Sequence, residues 1–306
     1  MKDNVRRAAV AGSWYPGDRE ALTAEVDSYI EAAADASIPG RLVGLVSPHA
    51  GLFYSGPVAA HGYSLLRGAQ PLTAVLIGPS HRALFDGLAL SAGGAWETPF
   101  GDIPIDEALA AALLAADDAF TDLPRVHRDE HCLEMQMPFL ARLVRELKIV
   151  PILMGTQSRD EVDRLARALG DVLRGRPALL VASTDLSHYH PAHVAQALDR
   201  VVVDHVERLD AEGLMAALET SHEHACGGGP LVAVMKAAVA LGADAARVLR
   251  YADSGDVGPR DKSRVVSAFW IPTRPRSIHC WPSILSSRRC ASARKLLAAA
   301  MAIPAA

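Results

Sequence analysis

Aromatic residues are scarce in this chain of 306 residues. Phe, Trp and Tyr make up 5% of the sequence, whereas hydrophobic residues as a group make up 50%. The core must therefore be built mainly from Ala, Leu and Val, a composition typical of helices packed on a sheet. The length is sufficient for one large α/β domain or two small ones.

Cysteines are also few, and long apolar runs and an excess of positive charge are missing. Four cysteines do not make a disulfide framework in a chain of this length, and they fit a reducing cytoplasm. No apolar stretch approaches the length of a membrane span, and residues 1–7 are not followed by the apolar region of a secretory signal. The formal net charge of -4 gives no general case for nucleic-acid binding. We therefore expect a cytoplasmic protein with neither nucleic acid nor membrane among its partners.

The charge is unevenly distributed along the chain. Residues 274–306 contain six basic residues and no acidic ones, and they mix Pro, Ser, Arg and Cys before an Ala-rich end. This change predicts a single α/β domain over residues 1–273. Residues 274–306 are then a basic, disordered extension with one marginal helix, dispensable for the fold. A shifted reading frame and a functional basic tail are the alternatives.

Short apolar runs alternate with patterns of helical period along residues 1–273. Strands are predicted at 42–47, 73–77, 87–91, 149–153, 178–183, 247–251 and 264–271. Helices are predicted at 18–36, 57–66, 106–116, 130–147, 159–174, 191–208, 211–219 and 230–241. The alternation predicts a three-layer α/β fold with a mostly parallel, mixed sheet flanked by helices.

Three of the predicted strands end in turns that carry a histidine. His49 follows strand 42–47, His81 follows strand 73–77, and His188 lies in the turn after Ser183. In an open α/β sheet, ligands bind outside the carboxyl ends of parallel strands, so we expect these imidazoles in one crevice. Neutral imidazole is the commonest metal ligand. Two histidines at adjacent strand ends favour a metal site over hydrogen bonding within the loops.

Asp185 and His188 share one turn. A carboxylate beside an imidazole fixes its tautomer or raises its basicity, which favours general acid–base chemistry by this pair. The alternative is that Asp185 forms the turn or caps a helix and that His188 is a surface residue.

Cys226 lies in a glycine-rich segment just before an apolar helix. A helix N-terminus lowers the pKa of a thiol and favours the thiolate, the form that binds metals. A buried structural cysteine is the alternative, and His222 or His224 could replace Cys226 in a metal site. Glycines 227–229 lack the Lys and Ser/Thr of a phosphate-binding loop.

Glu130 and His131 begin the segment that is predicted as helix 130–147, and Glu134 follows one turn later. The spacing is not that of a His-Glu-x-x-His zinc site, because only one histidine is present. Glu130 and His131 are further site candidates, although an acidic residue at this position can simply favour the helix dipole.

Seven segments, in order over roughly residues 5–271, resemble the Memo family. They are GSWYP at 12–16, SPHAGLFYSG at 47–56, GPSH at 78–81, DEHCLEMQMPF at 129–139, STDLSHY at 183–189, ACG at 225–227 and YADSGD at 251–256. The resemblance implies the fold of class III extradiol dioxygenases, which hold non-haem Fe(II) with two histidines and a glutamate.

The resemblance also implies roles for individual residues. His49 and His81 take the two histidine ligand positions, His188 takes the acid–base position, and Cys226 stands where the dioxygenases have glutamate. A thiolate is softer than a carboxylate and shifts metal preference toward Cu(I), Zn or thiolate-bound iron. We therefore expect Fe(II) first, with Cu or Zn as alternatives.

The cavity of the family implies further binding residues and two functions. Trp14 and Tyr54 are expected near its mouth, with Glu130 and His131 beside them. One function is a metal-dependent, dioxygenase-like oxidoreductase that acts on a small substrate, with His188 moving protons. The other is a catalytically silent module that binds a peptide or a protein. The resemblance also implies a radical-SAM protein as a partner.

Overall fold

The computed structural model describes residues 4–33, 38, 40–69, 71–221, 223–257, 261–270 and 298–303. The strands in these ranges are β1 (Val5–Arg6), β2 (Arg41–Ser47), β3 (Thr73–Pro79), β4 (Leu88–Leu90), β5 (Ala95–Trp96), β6 (Ile103–Pro104), β7 (Phe120–Asp122), β8 (Lys148–Met154), β9 (Ala178–Ser183), β10 (His188–His190), β11 (Ala245–Asp253), β12 (Val265–Trp270) and β13 (Ala298–Ile303). The α-helices are α1 (Arg19–Ala32), α2 (Leu52–Tyr63), α3 (Glu107–Ala116), α4 (Pro124–His127), α5 (Met137–Leu143), α6 (Arg159–Val172), α7 (Ala192–Glu207), α8 (Ala211–Thr220), α9 (Gly228–Ala240) and α10 (Ser254–Val257).

Within the described residues, ten strands form one mixed sheet in the order β10-β12-β11-β13-β2-β9-β3-β8-β4-β7. The central strands β2, β9, β3 and β8 run parallel, and antiparallel pairs flank them on both sides. Helices α3, α6, α7, α8 and α9 pack together against the sheet, and α1, α2 and α5 form a second group. The predicted three-layer α/β class is thus confirmed, with the parallel pairing concentrated at the centre.

The central strands are continuous apolar runs because helices cover both faces of a sheet of this kind. Residues 43–47 of β2, 74–79 of β3 and 149–154 of β8 are all buried. Helices α1 and α6 begin where the side chains of Asp18 and Ser158 accept hydrogen bonds from N–H groups of the first turn. No helix in the described part of the chain is long and apolar enough to cross a membrane.

Two predicted helices differ most from the structure. The predicted helix 130–147 is replaced by a 3-10 turn, Glu134–Gln136, followed by the short helix α5. The reason is that the Glu130 carboxylate accepts the N–H groups of His131 and Cys132 and so forms a local turn. Helix α2 begins before Pro57 because its packed apolar face outweighs the one hydrogen bond that proline removes.

Strand β13 corrects the prediction for the end of the chain. We expected this segment to be disordered apart from a marginal helix, but Ala298–Ile303 lies between β2 and β11 and is antiparallel to both. Pairing on two edges satisfies the backbone groups of the strand, whereas an isolated short helix is marginal in water. Residues 271–297 lie outside the described residues, so the domain boundary after residue 273 stays a prediction.

Truncation after Thr273 is therefore expected to lower the melting temperature by about 5 °C or more, because β2 and β11 lose a shared neighbour inside the sheet. Thermal unfolding of the truncated and full-length chains, followed by circular dichroism, measures this. Truncation after Ile303 is the matched control and should change little. An unchanged melting temperature for the shorter chain would support the original expectation of a dispensable tail.

Candidate metal centre

The carboxyl ends of β2, β3 and β9 bring the candidate residues together. Strand β9 lies between β2 and β3 and runs parallel to both, so the turns after the three strands share one edge of the sheet. One side-chain ligand atom from each of His49, His81 and Cys226 lies within 4.8 Å of the other two. The structure thus places together the three side chains that the sequence predicts as metal ligands.

The His49 imidazole is buried and held in one orientation. Its Nδ1 lies 2.9 Å from Ser183 Oγ, and the Ser183 hydroxyl donates to the Cys132 carbonyl oxygen at 2.7 Å. Because that hydroxyl has one hydrogen, its oxygen must accept from Nδ1–H, which leaves the lone pair of His49 on Nε2. Burial lowers the pKa of His49 to about 4, against the opposing charge of Asp185. The ring is therefore neutral near pH 7, the form that binds a metal.

Glu130 orients His81 in a similar way. Its carboxylate lies 3.0 Å from His81 Nδ1 and also accepts the His81 backbone N–H at 2.6 Å. A carboxylate only accepts, so Nδ1 carries the proton and Nε2 is free for a ligand. Burial alone raises the pKa of Glu130, but the hydrogen bonds that its carboxylate accepts from His81 and from the Cys132 backbone outweigh it and hold that pKa well below its usual range. Glu130 is 2% exposed, so it supports His81 from behind instead of lining a substrate cavity.

Cys226 supplies the sulfur from the segment just before α9. Its Sγ lies 3.2 Å from His49 Nε2 and accepts the Asp185 backbone N–H at 3.3 Å. Burial raises the pKa of the Cys226 thiol to about 12, and the charge of Asp185 adds to this. This corrects the prediction of a lowered pKa. Desolvation outweighs the dipole of α9, whose first residue, Gly228, is two positions further along.

Asp185 contacts His49, not His188. Asp185 Oδ1 accepts the His49 backbone N–H at 2.9 Å, and Oδ2 lies 3.9 Å from His49 Nε2. His188 Nδ1 instead lies 2.7 Å from the Leu186 carbonyl oxygen. The predicted Asp185–His188 pair is therefore replaced, because the turn between them directs the two side chains to different partners. Since a carbonyl only accepts, Nδ1 of His188 carries the proton and Nε2 has the lone pair of a base.

His131 and Trp14 lie beside the two ligand histidines. The His131 ring centroid is 4.7 Å from that of His81, 5.6 Å from that of His49 and 4.4 Å from that of Trp14. Burial lowers the pKa of His131, and its Nδ1 has no hydrogen-bond partner among the described residues although Glu130 Oε1 is 3.2 Å away. His81, Glu130 and His131 form a second group whose ligand atoms lie within 4.8 Å of one another.

Two cavities adjoin this centre. One, of about 360 Å³, is lined by Asp185 and by the exposed Tyr54. The other, of about 400 Å³, is lined by Cys226 together with Gln157 and Arg159. Tyr54 thus lies at a cavity, whereas Trp14 packs on His131; a binding role for either stays a prediction.

Sequence reasoning missed several supporting side chains. Gln136 Nε2 donates to Ser183 Oγ at 2.9 Å, which completes the hydrogen bonding behind His49. Gln157 donates to the Cys226 carbonyl oxygen at 2.9 Å and accepts the Gly229 N–H at the same distance. Gln157 follows β8, the fourth of the central parallel strands, so the strand-end rule that pointed to His49 could also have found it.

The histidines proposed as substitutes for Cys226 do not join the cluster in the described part of the chain. His224 Nδ1 lies 3.0 Å from the Leu198 carbonyl oxygen, outside both groups of ligand atoms. His222 lies outside the described residues.

Comparisons with known sequences agree with the sequence motifs. A family model described as Memo-like protein matches residues 6–271. A MEMO1 family protein of Methanothermobacter thermautotrophicus is 37% identical over 272 residues, covering 86% of this chain and 98% of its own. One of Methanosarcina acetivorans is 39% identical over 266 residues, covering 86% and 96%. A crystal structure of an uncharacterized Escherichia coli K12 protein aligns with a TM-score of 0.48 and 14% identity, covering 75% of this chain and 99% of that one.

Proposed function

Because this chain belongs to the family of Memo-like proteins, we propose that His49, His81 and Cys226 hold a metal ion and that the protein is a metal-dependent oxidoreductase for a small substrate. The observation that carries the proposal is the approach of the three ligand atoms to within 4.8 Å of one another. The orientation of both rings supports it, since Ser183 and Glu130 occupy the two Nδ1 atoms and both Nε2 lone pairs are left to face a ligand, that of His49 at 3.2 Å from Cys226 Sγ.

The donor set limits the choice of metal. Two imidazole nitrogens and a thiolate suit iron, copper or zinc, but not magnesium or calcium, which prefer oxygen ligands. We propose Fe(II), with Cu or Zn as alternatives, because the resemblance to the Memo family implies the fold of non-haem iron dioxygenases. A bound redox-active metal would supply electron transfer to or from the substrate.

The side chains around the ligands have separate tasks in this proposal. Ser183 and Glu130 keep the ligand rings in the tautomer that exposes Nε2. Cys226 must lose its proton to bind a metal, because only the thiolate is a ligand. His188, with its free Nε2, is the proposed acid–base residue. His81 is the exposed ligand of the three, so the centre is open to solvent at its ring.

Metal analysis of protein purified without oxygen tests the proposal. We expect about one metal ion per chain for the wild type and a loss of most of it in Cys226→Ser, because serine replaces the thiolate with a poor ligand. Cys132→Ser is the matched control, since Cys132 is buried and its Sγ donates to the Pro79 carbonyl oxygen outside the ligand group. A wild-type protein that takes up no iron, copper or zinc would overturn the metal site.

A binding module is the second candidate function. Phe53, Tyr54 and Tyr189 are 55%, 41% and 64% exposed, and the two tyrosines line the cavity beside Asp185. Exposed aromatic groups around a cavity are typical of sites that bind peptides or partner proteins. Oxygen consumption by the metal-loaded protein would favour the enzyme, whereas a metal-free protein that still binds peptide would favour the module. A radical-SAM partner stays a prediction of the family resemblance.

A further inference from the structure

The cavity of about 360 Å³ beside the candidate metal centre has apolar walls and a few polar groups. Its walls include Val58, Ala252, Val266 and Ala268, and Asp185 lies in it next to His49. A cavity of a few hundred Å³ with this lining is typical of a site for a small organic molecule.

Arg264 is a cation of this cavity that has no carboxylate partner among the described residues. Its guanidinium lies 5.4 Å from the ring centroid of Tyr189, and it forms no ion pair with Asp185 although both line the cavity. The neighbouring Lys262, in contrast, is bound to Asp253 and Asp256. The guanidinium of Arg264 is therefore available to a ligand.

Tyr189, whose ring lies next to Arg264, has an unfavourable backbone conformation. Tyr189 has a φ of +63°, which non-glycine residues rarely adopt, and the pairing of β10 with β12 changes register between His188 and His190. Irregularities of this kind occur next to functional sites, where they redirect a side chain. Here the result is an exposed aromatic ring that both lines the cavity and contacts the guanidinium of Arg264.

The charges of the cavity select among anions. One guanidinium that has no carboxylate partner in the described part of the chain matches one carboxylate, to which arginine binds in a bidentate manner. Asp185 and Asp261, which also line the cavity, repel a second negative group on the same ligand, whereas the charge of Asp253 is compensated by Lys262. The apolar walls between these charges favour a hydrocarbon body.

We propose that this cavity binds small monocarboxylic acids with an apolar body, with the carboxylate on Arg264 and the body against Val58 and Val266. Binding of the acid does not depend on the metal. Only the further step, that such an acid is the substrate of the metal centre, rests on the proposed function. Asp185 links the two sites, since it lines the cavity and its Oδ2 lies 3.9 Å from His49 Nε2.

Isothermal titration calorimetry on the full-length, chelator-treated protein tests this with three probes: 3-phenylpropanoate, the neutral 3-phenylpropanamide and the dicarboxylate phenylsuccinate. We expect 3-phenylpropanoate to bind about tenfold more tightly than either of the others, the gain that one charge-assisted pair typically provides. Arg264→Met should abolish the preference for the acid over the amide, and Arg264→Lys should retain part of it.

Arg128→Met is the matched control, because Arg128 is exposed and paired with Asp129; it should bind like the wild type. Equal binding of acid and amide, no binding of either, or an Arg264→Met variant that keeps the preference would overturn the proposal. Since the titration uses metal-free protein, it is independent of the metal analysis. If the acid binds but the metal analysis finds no metal site, the proposed carboxylate site is supported and the proposed oxidoreductase function is wrong.

Discussion

His49→Ala and His81→Ala are each expected to lose most of the bound metal, whereas His188→Ala is expected to keep it. His49 and His81 offer ligand atoms within 4.8 Å of each other and of Cys226, and removal of one of the three proposed ligands would leave too few to hold an ion. His188 lies outside that group and is hydrogen-bonded to Leu186. Metal content per chain, measured for the three variants, requires no known substrate.

The same experiment separates a ligand from an acid–base residue. Loss of a general base typically costs about 10²–10⁴-fold in rate without emptying the site. Circular dichroism of each variant controls for folding, which matters most for the buried His49. If His188→Ala loses metal as readily as the other two, His188 is itself a ligand and its assignment as the acid–base residue is wrong.

Glu134→Ala is expected to destabilise the protein by about 3–5 kcal/mol, the usual cost of breaking a buried ion pair by removing one partner. The Glu134 side chain is fully buried, and its carboxylate lies 2.5 Å from Arg6 Nη1. It also accepts the backbone N–H groups of Ala9 and Val10 and the Tyr15 hydroxyl. The substitution thus leaves the Arg6 charge and three further donors without their acceptor.

Urea unfolding of Glu134→Ala and of the isosteric Glu134→Gln measures the effect, with the smaller loss expected for glutamine. Glu97→Ala is the control, since the Arg7–Glu97 pair is exposed and such pairs contribute at most about 1 kcal/mol. The N-terminal segment that Glu134 anchors also carries Trp14, so the contact between Trp14 and His131 should weaken as well. Similar small losses for Glu134→Ala and Glu97→Ala would contradict this account.

The sequence by itself determined the central strands of the sheet, most of the longer helices and the meeting of His49, His81 and Cys226. These follow from local rules. Buried apolar runs between Pro and Gly form strands, and the turns after parallel neighbours share one edge of the sheet. The family motifs at 47–56, 78–81 and 225–227 point to the same residues.

Only the tertiary structure decided the partners and charge states of those residues. Asp185 pairs with His49 and not with its neighbour in sequence, His188, because side-chain direction depends on the whole turn and its packing. The Cys226 thiol has a raised pKa because burial, which a sequence does not show, outweighs the nearby helix dipole. Strand β13 lies between β2 and β11, which come from distant parts of the chain. This position could not be predicted from the sequence, because a local residue pattern does not indicate which distant strands will pair.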